Sequence, residues 1–551
     1  MALLSNDLDR LPAELRSALT GPGSPYQLAR EDVRGIAMTV FAHRPAHLPA
    51  LLLAAAEHHS DRPYLVFGDR QLTYRETVGR IPAVAAVLRD VYGVRRGDRV
   101  ALVGPNSPEY ALTLWAVAWL GAISAGLNGW WTGPEMRHGL TLAAPTVLVG
   151  EPRQLDRLAD ASGAAGGLGA QLPTVTFAEL FQQLGTSAAP LDPELAEDDP
   201  VAILFTSGTT GRPKGATITH RGLVNFAQDS QFRGAADAML NQRVAPASPP
   251  IALVVSPFFH ISGLGPLLAG GPFNGMTMVF PPRGRWDPLV HLALTARYGV
   301  TQWSGVPTQL IRLLRHPALD RYDVSSLRTI GFGGAPMSSE LAALLGSVIP
   351  NARPAMGFGM SETCGQGTNI AGELLVANPQ SIGYATPTSD VRVLDVTAPG
   401  EVGEIAIRCP SGFLGYWGDP AATASVLGAD GWYRTGDYGR IVGGMLQLES
   451  RLRDMIIRGG ENIYPIEIEN RLSEHPGVLD AAVIGVPHDE LGQEVLAAVV
   501  APGLSAAEIR DWAGATLAPY KVPAHVRFVD ALPYSATGKL LKRELERSLA
   551  G

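Results

Sequence analysis

Residues 206–216 read TSGTTGRPKGA, and this loop is the part of the chain best suited to hold an anion. The apolar run 201–205 precedes it and predicts a buried strand that ends in the loop. Glycines expose backbone N–H groups, hydroxyls add donors and a lysine adds a positive charge, which together suit a triphosphate. No Ser or Thr follows the lysine, so the pattern is not that of a P-loop kinase. The candidate phosphate contacts are Thr206, Ser207, Gly208, Thr209, Thr210, Gly211 and Lys214.

Further motifs follow this loop in order along the chain. They are GFGGAP at 331–336, GFGMSE at 357–362, YRTGD at 433–437, RGGENIYP at 458–465 and LPYSATGK at 532–539. In type, order and spacing these motifs resemble those of the adenylate-forming superfamily. That superfamily groups acyl-CoA synthetases, the adenylation domains of peptide synthetases, and luciferases. The first 190 residues resemble it more weakly, through stretches such as Asp61-Arg62-Pro63.

The resemblance implies an adenine-binding edge and a magnesium-holding carboxylate. Phe358 stands where the family usually has tyrosine, and its ring face is kept for stacking on adenine. Ser361 stands for the usual threonine and keeps a hydroxyl for the α-phosphate. Glu362 matches the glutamate that helps to hold Mg²⁺. The residues assigned to the adenine side are Gly333, Gly334, Ala335, Pro336, Gly357, Phe358 and Gly359.

The later motifs imply the ribose contacts and a catalytic lysine. Asp437 matches the aspartate that accepts hydrogen bonds from both ribose hydroxyls, a role that suits the two oxygens of a carboxylate. Arg451 matches the arginine that contacts ribose, and the turn Gly459-Gly460 lies near the thiol channel. Lys539 matches the lysine that reaches into the adenylation site.

His260, in the run FFHISG, matches the family position that lines the acyl pocket and often gates the thiol tunnel. No acidic residue stands where amino-acid-activating relatives hold the substrate ammonium group. We therefore expect a carboxylic acid with an uncharged tail, fatty or aromatic. The candidate wall residues are Phe258, Phe259, Ile261, Leu264, Trp303 and Val306.

The resemblance implies a two-step ligase that uses ATP, Mg²⁺ and coenzyme A. A carboxylate attacks the α-phosphate to give acyl-AMP and pyrophosphate, and the thiol of coenzyme A then attacks the acyl-AMP. Lys539 lies twelve residues before the last residue, which favours a stand-alone ligase over one fused to a carrier domain. Two alternatives stay open. One is transfer to a carrier protein, an amine or another nucleophile, and the other is a non-catalytic nucleotide-binding regulator.

The composition and the order of strand and helix patterns limit the possible architectures. The chain has 551 residues, a net charge of -8 and two cysteines, which argues against a nucleic-acid binder and a disulfide framework and fits the cytoplasm. Alternating strand and helix patterns predict an α/β fold with parallel sheets and a β subdomain after residue 385. The predicted domains are 1–452, which binds ATP and the acyl group, and a small mobile α+β lid, 453–551, with the hinge at Arg453. The stretch 251–271, uncharged apart from His260, is broken by prolines and glycines, so we expect a strand over 251–256, a turn and a short buried helix rather than a membrane span. A homodimer is left open.

Overall fold

The computed structural model describes residues 2–160, 172–207, 213–242, 248–284, 286–305, 307–333, 337, 339–398, 400–451, 454–458, 461–488, 491–517, 519–534 and 540–549. Two large sheets with their helices fill the first part of this chain. A smaller sheet with three helices fills the last part. This architecture confirms the predicted α/β fold with a large N-terminal and a small C-terminal domain.

The described residues form 27 strands, of which the last five belong to the small domain. Strands alternate with helices over most of the large domain. They are β1 (Ala2–Leu3), β2 (Leu28–Val33), β3 (Ile36–Phe41), β4 (Pro63–Phe67), β5 (Arg70–Thr73), β6 (Arg99–Val103), β7 (Ile123–Gly126), β8 (Val147–Gly150), β9 (Thr174–Thr176), β10 (Pro200–Ser207), β11 (Pro213–Thr219), β12 (Ile251–Leu253), β13 (Thr277–Phe280), β14 (Gln302–Gly305), β15 (Thr329–Phe332), β16 (Arg353–Phe358), β17 (Thr368–Ala371), β18 (Ser381–Ala385), β19 (Asp390–Val393), β20 (Gly403–Arg408), β21 (Tyr433–Val442), β22 (Met445–Arg451), β23 (Ile456–Arg458), β24 (Glu461–Ile463), β25 (Asp480–His488), β26 (Gly492–Val500) and β27 (His525–Phe528).

The helices pack on both faces of these sheets. They are α1 (Ala13–Thr20), α2 (Leu48–His58), α3 (Tyr74–Asp90), α4 (Pro108–Trp119), α5 (Gly133–Ala143), α6 (Pro152–Asp160), α7 (Phe177–Gln182), α8 (His220–Leu240), α9 (Ile261–Gly265), α10 (Gly271–Asn274), α11 (Pro288–Tyr298), α12 (Pro307–Leu314), α13 (Ser339–Val348), α14 (Gly372–Ala377), α15 (Pro420–Ala424), α16 (Pro465–Ser473), α17 (Ala506–Gly514) and α18 (Lys542–Leu549).

Parallel pairing dominates where the sequence predicts it. Six described strands form one sheet in the order β11-β10-β7-β6-β8-β9, and all its pairs are parallel except β10 with β11. Fourteen form a second sheet in the order β1-β19-β20-β21-β22-β18-β17-β16-β15-β14-β12-β13-β4-β5. Its run from β16 to β4 is parallel. The predicted β subdomain after residue 385 extends this sheet in antiparallel pairs.

Helix α4 is central to the packing of the large domain. All its residues are buried except Glu109, including Tyr110 and Trp115, and it packs against α3. Its apolar side chains join strands of both sheets in one hydrophobic cluster. Burial of apolar surface on all sides explains why α4 is hydrophobic around its circumference rather than amphipathic.

The uncharged stretch 251–271 folds as a strand, a turn and a run of short helices. Strand β12 ends at Leu253 rather than at Ser256 as the sequence predicts, because the Val255 N–H turns back to the Leu253 carbonyl at 3.1 Å. A π-helical turn, Pro266–Gly270, connects α9 to α10. None of the helices in the described ranges combines the length and apolarity that a bilayer crossing requires.

The small domain has its own core. Its sheet has the order β24-β23-β26-β25, with β27 paired to β26. Separate apolar clusters lie against the two faces of this sheet. Strand β22 ends at Arg451 in the large sheet and β23 begins at Ile456 in the small one. Leu452 and Arg453, where the sequence places the domain boundary and the hinge, lie outside the described residues.

Candidate active site

The predicted phosphate loop joins two paired strands. In the β10–β11 ladder Thr206 lies opposite Lys214, and Ser207 lies opposite Pro213. Strand β10 is also parallel to β7, so the loop follows the carboxyl end of a parallel strand, the usual place for a ligand in an α/β sheet. Of the predicted contacts, Gly208, Thr209, Thr210 and Gly211 lie outside the described residues.

Glu362 is brought to this hairpin from a distant part of the chain. It lies in a 3-10 turn, Ser361–Thr363, and is buried, with 6% of its surface exposed. The Thr206 hydroxyl lies 3.4 Å from its Oε1, and the Tyr416 hydroxyl donates to the same oxygen at 2.9 Å. The Phe413 N–H fixes the Glu362 carbonyl at 2.8 Å. A buried carboxylate that accepts hydroxyl hydrogen bonds therefore lies beside the first residue of the phosphate loop.

Two tyrosines that sequence reasoning did not select complete this cluster. The Tyr416 ring lies under the Lys214 ammonium group, with Nζ 4.9 Å from the ring centroid. Burial, with the negative charge of Glu362, raises the pKa of both Tyr416 and Tyr433. Asp437 contributes to the raised pKa of Tyr433, which places that carboxylate in the same electrostatic neighbourhood. Tyr433 belongs to the YRTGD motif. Tyr416 stands between glycine and tryptophan in a turn-rich stretch and gives no comparable signal.

Asp437 and Arg451 are cross-strand partners. They lie opposite each other in the β21–β22 ladder. Asp437 is 4% exposed, and its N–H donates to the Thr435 hydroxyl at 3.0 Å. The predicted ribose carboxylate is thus held on a strand, which fixes its position better than a loop would.

The motifs predicted to bind adenine lie at the carboxyl ends of two neighbouring strands in the fourteen-stranded sheet. Strands β15 and β16 are parallel, so Gly333 and Phe358 lie at neighbouring carboxyl ends. A Cβ atom on Gly359 would lie 2.4 Å from the Gly365 carbonyl oxygen, which explains glycine at that position. Phe358 and Ser361 are half-buried. Gly334, Ala335 and Pro336 lie outside the described residues.

His260 lies close to the turn that holds Glu362. It caps α9, whose first residue, Ile261, would contact a Cβ atom on Gly365 at 3.5 Å. Its ring lies 4.7 Å from that of Phe259. Of the other candidate wall residues, Leu264 is 1% exposed, and Phe258 and Trp303 belong to the hydrophobic cores. Val306 lies outside the described residues.

In the small domain, the residues on either side of the segment with the predicted catalytic lysine pair with each other. Tyr534 pairs with Leu540 and the Leu541 N–H donates to the Pro533 carbonyl at 2.8 Å, while residues 535–539, with Lys539, lie outside the described residues. The Tyr534 hydroxyl donates to both oxygens of Asp480, at 2.9 and 3.0 Å. Gly459 and Gly460, predicted near the thiol channel, are likewise outside the described residues.

Comparison with known proteins assigns the family. Residues 52–417 match the model of the AMP-binding enzyme family, and residues 467–539 match the model of the AMP-binding enzyme C-terminal domain. The chain therefore belongs to the AMP-binding enzyme family, within the adenylate-forming superfamily.

Individual relatives resemble the chain over nearly its whole length. A feruloyl-CoA synthase of an Amycolatopsis species is 38% identical over 87% of this chain and 94% of its own. An indoleacetate–CoA ligase of Aromatoleum aromaticum is 35% identical over 88% of this chain and 94% of its own. The ATP-bound structure of MatB from Rhodopseudomonas palustris is similar, with a TM-score of 0.80 and 30% identity over 92% of this chain and 99% of its own.

The buried carboxylate of Glu362 beside the predicted phosphate loop fits a magnesium ion that binds together with a nucleotide. Among the described residues no three His, Cys, Asp or Glu side chains form a metal-binding cluster. Mg²⁺ is commonly held by one or two carboxylates together with substrate phosphates, and it keeps several waters. Glu362, buried beside the predicted phosphate loop, would supply one such carboxylate.

Proposed function

We propose that this enzyme, an AMP-forming acid–thiol ligase, activates a carboxylic acid with ATP and transfers the acyl group to coenzyme A. The observation that carries the proposal is the position of Glu362. Its carboxylate lies against Thr206 at the phosphate loop, on the same cluster as Lys214 and Tyr433. The family match and the CoA ligases among the relatives support the same chemistry.

In the first step the carboxylate oxygen of the acid attacks the α-phosphorus of ATP and pyrophosphate leaves. Both reactants are anions, so preorganised positive charge and hydrogen-bond donors at the phosphates should dominate the rate enhancement. The hydroxyl of Thr206, the loop that follows it, Lys214 and Lys539 supply these groups. Mg²⁺, held with Glu362, would neutralise phosphate charge. Asp437 and Arg451 hold the ribose, and Phe358 stacks on adenine.

In the second step the thiolate sulfur of coenzyme A attacks the acyl carbonyl carbon. The bond between that carbon and the bridging oxygen breaks, and AMP leaves with the oxygen. His260 lines the proposed acyl site and gates the path of the thiol, and Gly459 and Gly460 keep their predicted role at the thiol channel. No covalent bond to the enzyme is required in either step.

The acid we propose is aromatic rather than a long-chain fatty acid. Three relatives at 35% identity or more are named for two aromatic acids, ferulate and indoleacetate. The Phe259 ring lies next to the His260 ring and 5.4 Å from the Trp130 ring, and such a group of rings suits an aryl group.

A pyrophosphate-release assay with an acid panel tests this substrate class. With coenzyme A present, ferulate and indoleacetate should give a kcat/KM at least about tenfold above that of a straight-chain fatty acid, the selectivity of about one good hydrophobic contact. A higher kcat/KM for the fatty acid would overturn the aromatic assignment and leave the ligase assignment intact.

The rival acceptor is a carrier-protein thiol or an amine. The same assay separates the cases, because a CoA ligase forms AMP catalytically only when coenzyme A is supplied. Without coenzyme A, at most about one equivalent of pyrophosphate per enzyme should appear. If an amine or a pantetheinylated carrier protein replaced coenzyme A with equal turnover, the acceptor assignment would be wrong.

The setting we propose is the reducing cytoplasm. Cys364 and Cys409 are both buried free thiols, as expected for a chain without a disulfide framework. The homodimer stays a prediction that light scattering after size-exclusion chromatography will check.

A further inference from the structure

Tyr416 contacts both charged side chains of the candidate phosphate site. Its hydroxyl donates to Glu362 Oε1 at 2.9 Å, and its ring face lies under Lys214 Nζ at 4.9 Å from the centroid. One side chain thus connects the carboxylate proposed to hold magnesium with the lysine proposed to attend the phosphates. These two groups are 148 residues apart in sequence, at 362 and 214.

The backbone around Tyr416 is fixed from several directions. It forms a β-bridge to Ala216, and its N–H donates to the Thr423 hydroxyl at 2.9 Å. The Trp417 N–H donates to the Gly215 carbonyl at 2.7 Å. The preceding Gly415 has a φ of +132°, and a Cβ atom there would lie 2.8 Å from Thr423. Tyr416 therefore has a fixed position relative to strand β11, which carries Lys214.

The ring itself is also packed. The Phe413 ring lies edge-on to it at 5.1 Å, and Phe413 in turn holds the Glu362 carbonyl through its N–H. The hydroxyl of Tyr416 is therefore aimed at Glu362 by covalent and packing constraints that do not depend on a bound nucleotide. Such support is what holds a site in its productive geometry.

We propose that Tyr416 is a positioning residue that couples the phosphate loop to the metal-holding carboxylate. Its hydroxyl holds the Glu362 carboxylate in the orientation that accepts Mg²⁺ with ATP. Its ring keeps the Lys214 ammonium group in the position from which it contacts the phosphates. This inference rests on the proposed function, because it takes Glu362 as the magnesium carboxylate.

The two contacts predict separable effects. Tyr416→Phe keeps the ring and removes the hydroxyl, so the hydroxyl contacts with Glu362 and Tyr433 are lost while the ring contact with Lys214 stays. A hydrogen bond to a charged group is worth about a factor of ten or more. Tyr416→Leu also removes the ring face, and loss of a cation–π contact of this exposure is worth about two- to fivefold.

Calorimetric titration with ATP, in Mg²⁺ and separately in EDTA, tests the proposal without turnover. Tyr416→Phe should weaken binding about tenfold in Mg²⁺ and leave binding in EDTA unchanged. Tyr416→Leu should weaken binding in EDTA as well, by about two- to fivefold. Tyr438→Phe is the matched control, because Tyr438 lies on β21 with Glu404 and Arg434 as its charged neighbours, and it should bind ATP normally.

Glu362→Gln separates failure of this inference from failure of the proposed function. If Glu362→Gln abolishes the magnesium-dependent gain in affinity, then Tyr416→Phe should add no further loss in that background, since both act through one carboxylate. Equal losses in Mg²⁺ and EDTA for Tyr416→Phe, or additive losses with Glu362→Gln, would overturn the positioning role. Unchanged magnesium dependence in Glu362→Gln would overturn the magnesium role of Glu362 and this inference with it.

Discussion

Glu362 shows how single residues define this site. Taken alone, a glutamate after a short apolar strand is most often a solvated surface carboxylate. Here it is buried, its oxygen accepts hydroxyl hydrogen bonds, and its charge raises the pKa of half-buried Tyr416 and of buried Tyr433. Burial of a charged group is costly, so a buried carboxylate in such a place is a candidate for a functional role.

Lys539→Ala should separate the two half-reactions. Loss of one preorganised charged donor should slow adenylation about a hundredfold or more. Thioester formation from supplied acyl-AMP should change little, because the triphosphate has already been cleaved. Rapid-quench measurement of each half-reaction provides the test. Lys521→Ala is the control, since Lys521 pairs with Glu467 at 2.7 Å. An equal fall in both half-reactions would contradict the assigned role.

Asp437→Ala should raise the KM for ATP by about tenfold or more, since a pair of charge-assisted hydrogen bonds to ribose is lost. The melting temperature should be nearly unchanged. The variant should distinguish ATP from 2′-deoxy-ATP less well than the parent enzyme does. A normal KM with a greatly lowered Tm would instead make Asp437 a structural residue.

At the scale of elements, periodicity and motifs predicted most of the fold. The strands and helices of the parallel region alternate as the sequence predicts. The end of β12 at Leu253 could not be predicted from the sequence, because a tight backbone turn, and not the type of side chain, ends the strand. Tyr416 was missed for a related reason. Its contacts with Glu362 and Lys214 arise from chain segments far apart in sequence.

Helix α8 should make the stability of the enzyme sensitive to acid. Its first residue, His220, is fully buried, and burial lowers its pKa to about 3. In the unfolded chain the same histidine is protonated below about pH 6.5. Its contribution to the free energy of unfolding is therefore fully present above that pH. As the pH falls from about 6.5 towards 3, the free energy of unfolding should drop by up to about 1.4 kcal/mol per pH unit.

Denaturant unfolding of His220→Asn between pH 4 and 8 tests this contribution. The Leu48 N–H donates to His220 Nδ1 at 3.3 Å, and the Asn oxygen can accept the same bond. The variant should show a shallower loss of stability below pH 6.5, whatever its stability at pH 8. The exposed His58→Gln serves as control and should follow the slope of the parent. A His220→Asn slope equal to that of the parent would contradict the prediction.

At the scale of the whole molecule, two domains with separate cores must serve two reactions at one acyl group. The small domain touches the large one through contacts such as the Asn470 amide to Gln380 at 2.8 Å. One small domain can present the Lys539 loop and then the Gly459-Gly460 turn only if it rotates about a few backbone torsions. The motif order predicted a large and a small domain, and the rotation of the small one stays a prediction. The contacts between the domains could not be deduced from the sequence.

Arg453→Pro tests whether rotation occurs at the predicted hinge. Proline fixes φ near -65°, so the variant should impair one half-reaction about tenfold or more relative to the other. Arg453→Ala, which leaves the torsion free, should affect both half-reactions little. Equal loss of both in Arg453→Pro, or no loss of either, would place the hinge elsewhere.

The central claim is that the acid is activated through its own oxygen as acyl-AMP, and isotope transfer tests this most directly. An aromatic acid labelled with ¹⁸O in both carboxylate oxygens is incubated with the enzyme, ATP, Mg²⁺ and coenzyme A, and the products are analysed by mass spectrometry. The mechanism predicts that AMP gains one ¹⁸O, that the thioester keeps the other, and that pyrophosphate gains none. Label in inorganic phosphate together with formation of ADP would show an acyl phosphate instead and would contradict the account.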